Sequence, residues 1–541
     1  MSRLPIPVGT FPPSLSQLGQ SVTKTVERVV RTANTLKDAI AVSSAVQTHA
    51  LPPERVRTGT RLCDAEIQFR ARRAATAAGA VSVLVGESVA LQHVPTVAIA
   101  ASGGGSRAMI ATLASLNELN SIGVLDTVSY LAGVSGSTWS LAHMYNHANP
   151  TNSPRSALQA ARLSLSKNVL NPLPLLENPP TIALATLMER FRTTKSKLNV
   201  VDLFGVLLSA AFLETTRNSL SLQAVSGVAP SLRSTGVGSL GLAPRISMQT
   251  GGGVADGTSP MPIYSCVTYS GEGAREQYQW VEFSPYEMGF ISAHDMQDGV
   301  WIPTRAFGRA FRGGISASDD AEVSLGIMLG VFGSAFTANL HRIIQEIESD
   351  IPKDVLDRVR SLLKDRMDFH AISPSHFPNP SFRLKHFNDP ITNSEYIPLM
   401  DSGMDNSLPI APLLHPSRKV DIIIVLDASG DIGSHPFLQR AEQYANMRNT
   451  TLGLPSFNLT RTHVPDGSAK GGVQVVYIPL MGDAAKQWYA KAANFVWSPW
   501  QVDAIAELAA GHVLSAQKEI VDLIANVYAK KRDADLLSNN E

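Results

Sequence analysis

The chain has 541 residues, of which 44% are hydrophobic and 17% are charged, a composition that suits a folded chain with a sizeable core and excludes a disordered one. Lys plus Arg and Asp plus Glu both number 46, so the balanced charge gives no basis for binding nucleic acid, and none is expected as a partner. The only cysteines, Cys63 and Cys266, argue against a secreted, disulfide-rich protein and favour an intracellular one.

The first 60 residues predict an N-terminal amphipathic helix followed by a linker. Apolar side chains recur every three or four residues across 15–40, with an excess of Lys and Arg at the polar positions. Packing of this helix on the main domain is the simplest interpretation. A helix lying on a membrane surface is the alternative, and a mitochondrial address also stays open. The sequence contains no uninterrupted run of about 18 apolar residues, so we expect no membrane-spanning helix.

Strand and helix patterns alternate in the next part of the chain. Short apolar runs predict strands at 97–100 and 128–132, and longer periodic runs predict helices at 106–122 and 137–147. This order predicts a parallel sheet covered by helices.

The rest of the chain predicts one large domain over residues 61–541 with an insertion. Residues 150–260 are expected to form a cap or lid, mostly helical up to 225 and mobile in the Gly- and Ser-rich stretch 226–260. The fold class is therefore α/β, with three layers and a mostly parallel central sheet flanked by helices. Further elements are expected in chain order as helix at 320–370, strands at 396–399, 420–426 and 473–477, and one long helix at 500–531.

A serine lies on the second predicted strand-to-helix turn, within Gly133-Val134-Ser135-Gly136-Ser137. A nucleophile elbow needs small residues around its serine because the strand and helix backbones nearly touch. Glycines flank Ser135 on both sides, although Ser137 stands where a second following glycine is usual. Taken alone, an inert serine in a tight turn is the simpler interpretation.

The first strand-to-helix turn carries three glycines at 103–105. Backbone N–H groups at a helix N-terminus bind anions, and the tetrahedral intermediate of ester cleavage is one. Arg107 follows in the first helical turn, where a cation opposes the helix dipole. This cost suggests a role for the guanidinium, for instance against a phosphate, the alternative being a solvent-facing or structural arginine.

The glycine run also fits the G-x-G-x-x-A pattern of a dinucleotide site. Such a site needs an acidic residue at the end of the next strand to hold the ribose. Here Ser135 lies just beyond that strand, and Asp126 lies before it. The nucleotide interpretation is therefore disfavoured.

A carboxylate is the best candidate for the base that activates Ser135. Asp401 follows a predicted strand and opens the turn Asp401-Ser402-Gly403, and a strand-end carboxylate in a parallel sheet lies at the catalytic edge. A free carboxyl has a pKa near ~4, and burial would raise it. A residue that only shapes an Asx turn is the alternative. His143 lies two helical turns past Ser135 and is expected to face away from it or to pack below it, while His415, His463 and His512 lie in no recognisable turn motif. Neither these nor His93, the other histidine near the turn, is the favoured base.

Residues 102–109, 131–139 and 401–403 resemble the signature blocks of the cytosolic (group IV) phospholipase A2 and fungal lysophospholipase (phospholipase B) family. Supporting blocks lie at 62–66, 261–264, 280–289 and 333–336. The resemblance implies a patatin-like fold and a phospholipid or lysophospholipid substrate, with no cofactor or metal. The implied site consists of Ser135 and Asp401 as a catalytic dyad, an oxyanion hole from Gly104 and Gly105, and Arg107 as support for phosphate or oxyanion.

The resemblance implies hydrolysis of a glycerophospholipid acyl ester through an acyl-serine intermediate. Calcium independence is expected, because only about 60 residues precede the match and they contain no acidic calcium loops. The expected location is cytoplasmic, with transient contact at membranes. A lipid acyltransferase using the same dyad and a non-catalytic lipid-binding protein are the alternatives.

Overall fold

The structure is a computed structural model, and it describes most of the chain. The predicted helix at 15–40, the first part of the predicted lid at 226–242 and His463 lie outside the described residues. The described residues are 52–146, 151–170, 186, 189–190, 198–213, 243–270, 277–292, 298–337, 367–368, 374–385, 387, 389–430, 436–453, 472–480 and 491–538.

Strands and helices alternate through the described residues. The strands are β1 (Arg57–Thr58), β2 (Val97–Ala101), β3 (Val128–Val134), β4 (Leu198–Asn199), β5 (Met261–Ser270), β6 (Gln277–Phe283), β7 (Glu287–Ile291), β8 (Gly299–Pro303), β9 (Phe311–Arg312), β10 (Ile315–Ser316), β11 (Met367–Asp368), β12 (Ser375–Pro378), β13 (Tyr396–Asp401), β14 (Ile422–Asp427), β15 (Leu452–Gly453) and β16 (Val473–Pro479). The helices are α1 (Asp64–Val85), α2 (Gly105–Ser121), α3 (Gly136–Met144), α4 (Pro154–Leu165), α5 (Val200–Phe212), α6 (Leu325–Phe332), α7 (Ile410–Leu413), α8 (Pro436–Met447), α9 (Pro499–Ser515) and α10 (Gln517–Ser538).

Twelve of these strands form one mixed sheet with the order β1-β8-β7-β6-β5-β3-β2-β14-β16-β15, to which β13 and β12 are added beside β5. The strands from β5 through β3, β2, β14 and β16 to β15 run parallel, whereas β6, β7, β8 and β1 form an antiparallel extension. The α/β fold class expected from the sequence is confirmed, and β5 is the boundary between the two halves of the sheet.

The central strands are buried because helices pack around them. Every side chain of β2 is 0% exposed, as expected for a parallel strand covered on both faces. Helix α2 packs against α3, α4 and α9, while α1 and α7 contact β3. In the part of the chain that the structure describes, no helix is both long and apolar enough to cross a bilayer.

The helix predicted at 500–531 is two helices, which corrects the prediction of one. Helix α9 ends at Ser515 and α10 begins at Gln517. At the break the Ala516 N–H donates to the carbonyl of Val513 in a tightened last turn. Hydrophobic periodicity continues through this break, so it carries no sign of the change in direction.

The second part of the predicted lid, residues 243–260, is packed against the core. Val254 is fully buried. The buried Arg73 of α1 donates hydrogen bonds of 3.1 Å to the carbonyl of Gly257 and 2.8 Å to that of Thr258. Because this stretch is tied to α1, the prediction of a mobile lid now concerns only the residues before 243.

Candidate active site

The two glycine-bearing turns meet at one edge of the sheet. Strands β2 and β3 are parallel neighbours, with Ala101 opposite Gly133, so the turns that follow them emerge side by side. The first leads into α2 at Gly105 and the second into α3 at Gly136. We call them the glycine turn (residues 102–105) and the serine turn (residues 133–137).

Ser135 is held in a strained backbone conformation. Its φ is 51° and its ψ is −120°, values that a residue with a side chain rarely adopts and that cost about 1–3 kcal/mol. Such strain is typical of a nucleophile elbow, which turns its serine outward. The side chain is still mostly covered, at 3% exposure.

Glycine is required where the two turns touch. A Cβ on Gly136 would lie 1.9 Å from the carbonyl oxygen of Gly105, and a Cβ on Gly103 would lie 3.3 Å from the Cβ of Ser135. Ser137 links the turns further, because its hydroxyl donates a 2.6 Å hydrogen bond to the carbonyl of Ser102. The serine that replaces the usual glycine therefore holds the glycine turn in place.

Strand β5 aligns Ser135 with Asp401. Val134, the last residue of β3, lies opposite Ser265, and Asp401 lies opposite the next residue, Cys266. Since β3 runs parallel and β13 antiparallel to β5, the ends of β3 and β13 meet along it. The Ser135 hydroxyl donates a 2.9 Å hydrogen bond to Oδ2 of Asp401.

The carboxyl of Asp401 is buried and oriented from several sides. The Gly403 N–H donates to its Oδ1 at 2.9 Å, so the Asx turn expected as an alternative is present together with the bond to Ser135. Burial raises the pKa of Asp401 to about 6, and hydrogen bonds from Gly403, Ser135 and the Ala335 backbone limit that rise. Asp401 is therefore a stronger base than a free carboxylate.

Ser334 is a site residue to which the sequence alone assigned no role. Its hydroxyl accepts a 2.9 Å hydrogen bond from the Asp401 N–H. It precedes Ala335, whose N–H reaches the same carboxyl. The block at 333–336 was recognised only as part of the family resemblance, and no local pattern connected it with Asp401.

The glycine turn ends in backbone N–H groups that precede the hydrogen bonds of α2. Gly104 and Gly105 have φ of 143° and 60°, which favour glycine. The Ala108 N–H donates to the Gly104 carbonyl at the start of the helix, and the N–H groups of Gly104 and Gly105 lie ahead of this bond in the chain. A Cβ on Gly105 would also lie 2.1 Å from the carbonyl oxygen of Ala492.

Arg107 joins the glycine turn to the loop after β14. Its Nε donates a 2.9 Å hydrogen bond to the carbonyl of Ala428, and a Cβ on Gly104 would lie 3.1 Å from its Nη2. Burial lowers the pKa of the Arg107 guanidinium to about 10, while the nearby Asp427 opposes the shift. The arginine remains a cation at neutral pH beside the glycine turn.

Four of the histidines that the sequence does not favour as the base lie within the described residues, and each has neighbours away from the dyad. His143 is buried 5.2 Å from the ring of Phe212, and burial lowers its pKa to about 4. His415 packs 5.3 Å from Trp301. His93 and His512 likewise have partners outside the dyad, in Asp535 and the carbonyl of Pro479.

An aromatic wall lies beside the serine turn. Trp139 of α3 is fully buried, and its ring centroid lies 5.7–6.2 Å from those of its neighbours. These neighbours are Phe204, Phe212, Phe336 and Phe495. Because Phe336 also approaches Gly105, the wall borders the glycine turn. No group of His, Cys, Asp or Glu able to hold a metal ion occurs in the described part of the chain.

Comparison with known proteins agrees with this geometry. The model of the lysophospholipase catalytic domain family matches residues 97–230 and 245–437, more than half of the chain. The chain belongs to this family. The matched residues include the glycine turn, the serine turn and Asp401.

The chain is also similar to individual relatives in sequence and to a solved structure in fold. The chain is 30% identical to mouse cytosolic phospholipase A2 zeta over 54% of its length, and 25% identical to human cytosolic phospholipase A2 epsilon over 83%. It spans only 31% and 55% of those proteins. The structure of human GIVD cytosolic phospholipase A2 shares its fold, with a TM-score of 0.67 and 19% identity over 88% of this chain and 68% of that one.

Proposed function

We propose that the protein hydrolyses acyl esters of glycerophospholipids or lysophospholipids with a Ser135–Asp401 dyad. The observation that carries this proposal is the 2.9 Å hydrogen bond from the strained Ser135 to the buried carboxyl of Asp401. Membership of the lysophospholipase catalytic domain family supports the substrate class. The glycine turn in contact with the serine turn supports an acyl transfer mechanism.

In the proposed mechanism the oxygen of Ser135 attacks the ester carbonyl while Asp401 accepts its proton. The N–H groups of Gly104 and Gly105 stabilise the tetrahedral oxyanion. When the intermediate collapses, Asp401 gives its proton to the leaving alcohol, and the acyl group stays on Ser135. Water, deprotonated by Asp401, then attacks the acyl-enzyme, the fatty acid leaves, and the proton returns to the serine.

The proposed role of Arg107 has two parts. Its hydrogen bond to Ala428 supports a bracing role for the glycine turn. Its retained charge beside Gly104 supports an electrostatic role toward the oxyanion or the substrate phosphate. Neither role requires a cofactor.

The proposed setting is the cytoplasm, with transient contact at membranes that hold the substrate. The two relatives compared above are named cytosolic phospholipases A2, which supports this location. Calcium independence is part of the proposal, because every step above uses groups of the chain itself. It is tested by assaying the protein with and without a calcium chelator.

The deciding experiment follows the hydrolysis of labelled phosphatidylcholine and lysophosphatidylcholine by the wild type and by Ser135→Ala. We expect release of fatty acid by the wild type and loss of activity in the variant. Mass spectrometry of the products, with an added acyl acceptor, distinguishes hydrolysis from acyl transfer. Full activity of Ser135→Ala would refute the dyad, and failure of the wild type to react with a fluorophosphonate would favour a non-catalytic lipid-binding protein.

A further inference from the structure

The segment 491–500 has an inner side that forms part of the candidate site. The buried Phe495 ring lies 5.7 Å from that of Phe336 and 6.2 Å from that of Trp139. The carbonyl of Ala492 is the group that a Cβ on Gly105 would meet at 2.1 Å. This segment therefore borders the glycine turn directly.

The outer side of the same segment is apolar and exposed. Trp500 is 56% exposed and Val496 is 47% exposed. Leu163, near the end of α4, is 65% exposed. Two bonds tie α4 to this segment and the start of α9, namely the Trp497 N–H to the Leu165 carbonyl at 2.8 Å and Arg162 to Asp503 at 2.8 Å. We call the exposed set of Leu163, Val496 and Trp500 the outer patch.

One lysine and several polar groups share a groove with Val496 and Trp500 of the outer patch. Lys491 and Lys167 are both exposed. An open groove of about 610 Å³ runs along the segment. The residues that line it include Lys491, Asn494, Val496, Ser498, Trp500 and Gln501.

We propose that the outer patch docks on the headgroup layer of a membrane that contains anionic phospholipids. Single exposed apolar residues are ordinary, but exposed Trp, Val and Leu side chains with a lysine in the same groove, on a segment that borders the candidate site, mark an interaction surface. The indole of Trp favours the interface between headgroups and acyl chains, and lysine complements lipid phosphate. That the partner is lipid and not protein rests on the proposed function, since the proposed substrate is a phospholipid.

Docking in this orientation shortens the path of the substrate. The outer side of 491–500 would touch the bilayer while its inner side borders the glycine turn and the aromatic wall. A lipid leaving the headgroup layer would therefore meet apolar surface before Ser135. The catalytic edge of the sheet would face the membrane. Helix α10 would face away from it, because Asp535 of α10 bonds to His93, which precedes the start of β2 at the opposite edge.

The test measures binding in the Ser135→Ala background, so that no substrate is consumed. Trp500→Ser and Lys491→Glu are compared with the parent by co-sedimentation with vesicles of phosphatidylcholine, with and without phosphatidylserine. Leu537→Ser is the matched control, since Leu537 is 71% exposed and lies on α10. Circular dichroism melting reports on the fold of each variant.

We expect Trp500→Ser to weaken the partition onto both kinds of vesicle by roughly tenfold. Lys491→Glu should weaken the partition onto vesicles with phosphatidylserine by roughly tenfold and have a smaller effect without it. Leu537→Ser should bind like the parent. If Trp500→Ser has a lower melting temperature than the parent, the binding of Lys491→Glu alone decides the test.

Binding of both variants equal to that of the parent would overturn the proposal, and so would an equal loss in Leu537→Ser. Wild-type hydrolysis is assayed separately. If the wild type releases no fatty acid while binding still depends on Trp500 and Lys491, the proposed function fails and the docking surface stands.

Discussion

The hydroxyl of Ser135 donates a hydrogen bond directly to the carboxyl of Asp401, which lies 266 positions away in the sequence. Strand β5 makes this hydrogen bond possible. Val134, the residue before Ser135, pairs with one residue of β5, and Asp401 pairs with the next. The side chain of Asp401 is buried, which raises its basicity, and hydrogen bonds fix its direction.

The first prediction concerns the pH dependence of activity. Asp401 must be ionised to accept a proton, and its pKa is raised to about 6 by burial. Activity should therefore fall as the pH drops through about 6, rather than near 4 as for a free carboxyl. The measurement is kcat/KM for lysophosphatidylcholine hydrolysis across this range. An acid limb centred near 4 would contradict it.

A variant of Asp401 extends the first prediction. Asp401→Asn should remove the base while keeping the shape of the site. We expect kcat to fall by a factor of about 10²–10⁴, the range typical of a lost general base. The control is the melting temperature, which should not fall, because Asn keeps an acceptor for Gly403 and is neutral in a buried position. Retention of more than a tenth of the activity would remove Asp401 from the mechanism.

The second prediction concerns the contact between the two turns. Gly136→Ala would place a Cβ 1.9 Å from the Gly105 carbonyl, so the glycine turn must move. We expect loss of most activity and a destabilisation of about 1–3 kcal/mol. Gly79→Ala in α1 is the matched control, because a Cβ there meets nothing within 4 Å. It should stabilise the protein by up to about 1 kcal/mol and leave activity unchanged.

Urea unfolding and the hydrolysis assay check both alanine variants. Equal activity in Gly136→Ala and Gly79→Ala would mean that the contact between the turns does not determine catalysis.

The glycine turn and the serine turn could be predicted from the sequence because the residue types that they need are local. A strained serine and a close approach of two backbones demand small residues at fixed spacing, and that spacing is visible at 103–105 and 133–137. The parallel strands could also be predicted from the sequence, because strands buried on both faces are continuous apolar runs. The predicted strands at 97–100 and 420–426 correspond to β2 and β14 within two residues.

The antiparallel half of the sheet and the support of Asp401 were not predicted, because both depend on contacts distant in sequence. Strand β6 mixes polar and apolar residues, and only the family resemblance drew attention to residues 280–289. Nothing in the local pattern around Ser334 indicates a hydrogen bond to residue 401, since β13 acquires that neighbour from the packing of α6.

The third prediction treats Ser334 as a positioning residue. Ser334→Ala leaves the buried Asp401 N–H without its acceptor, at a cost of about 1–3 kcal/mol. It also loosens Ala335, whose N–H lowers the pKa of Asp401. We expect kcat to fall several-fold and the acid limb to move to higher pH. Ser121→Ala, at an exposed serine of α2, is the control. A lower melting temperature with an unmoved acid limb would indicate a purely structural role.

The last prediction concerns a buried ion cluster that fixes α1 to the sheet. Arg418 lies 2.9 Å from Glu66 of α1 and 2.6 Å from Glu282 of β6, and all three side chains are at most 7% exposed. Burial lowers the pKa of the Arg418 guanidinium, but the two carboxylates outweigh it and raise that pKa well above its ordinary value. The arginine also packs over Tyr130 of β3 at 5.3 Å.

Arg418→Leu would leave two buried carboxylates without their cation, and breaking a buried pair in this way costs about 3–5 kcal/mol. We expect a loss of that size in the free energy of unfolding, measured with urea at neutral pH. The loss should shrink as the pH falls, because burial raises the pKa of Glu282 and its protonation removes an uncompensated charge. Arg61→Leu, which breaks an exposed pair with Asp64, should have little effect. Equal stability of the two variants would show that the cluster does not hold α1 to the sheet.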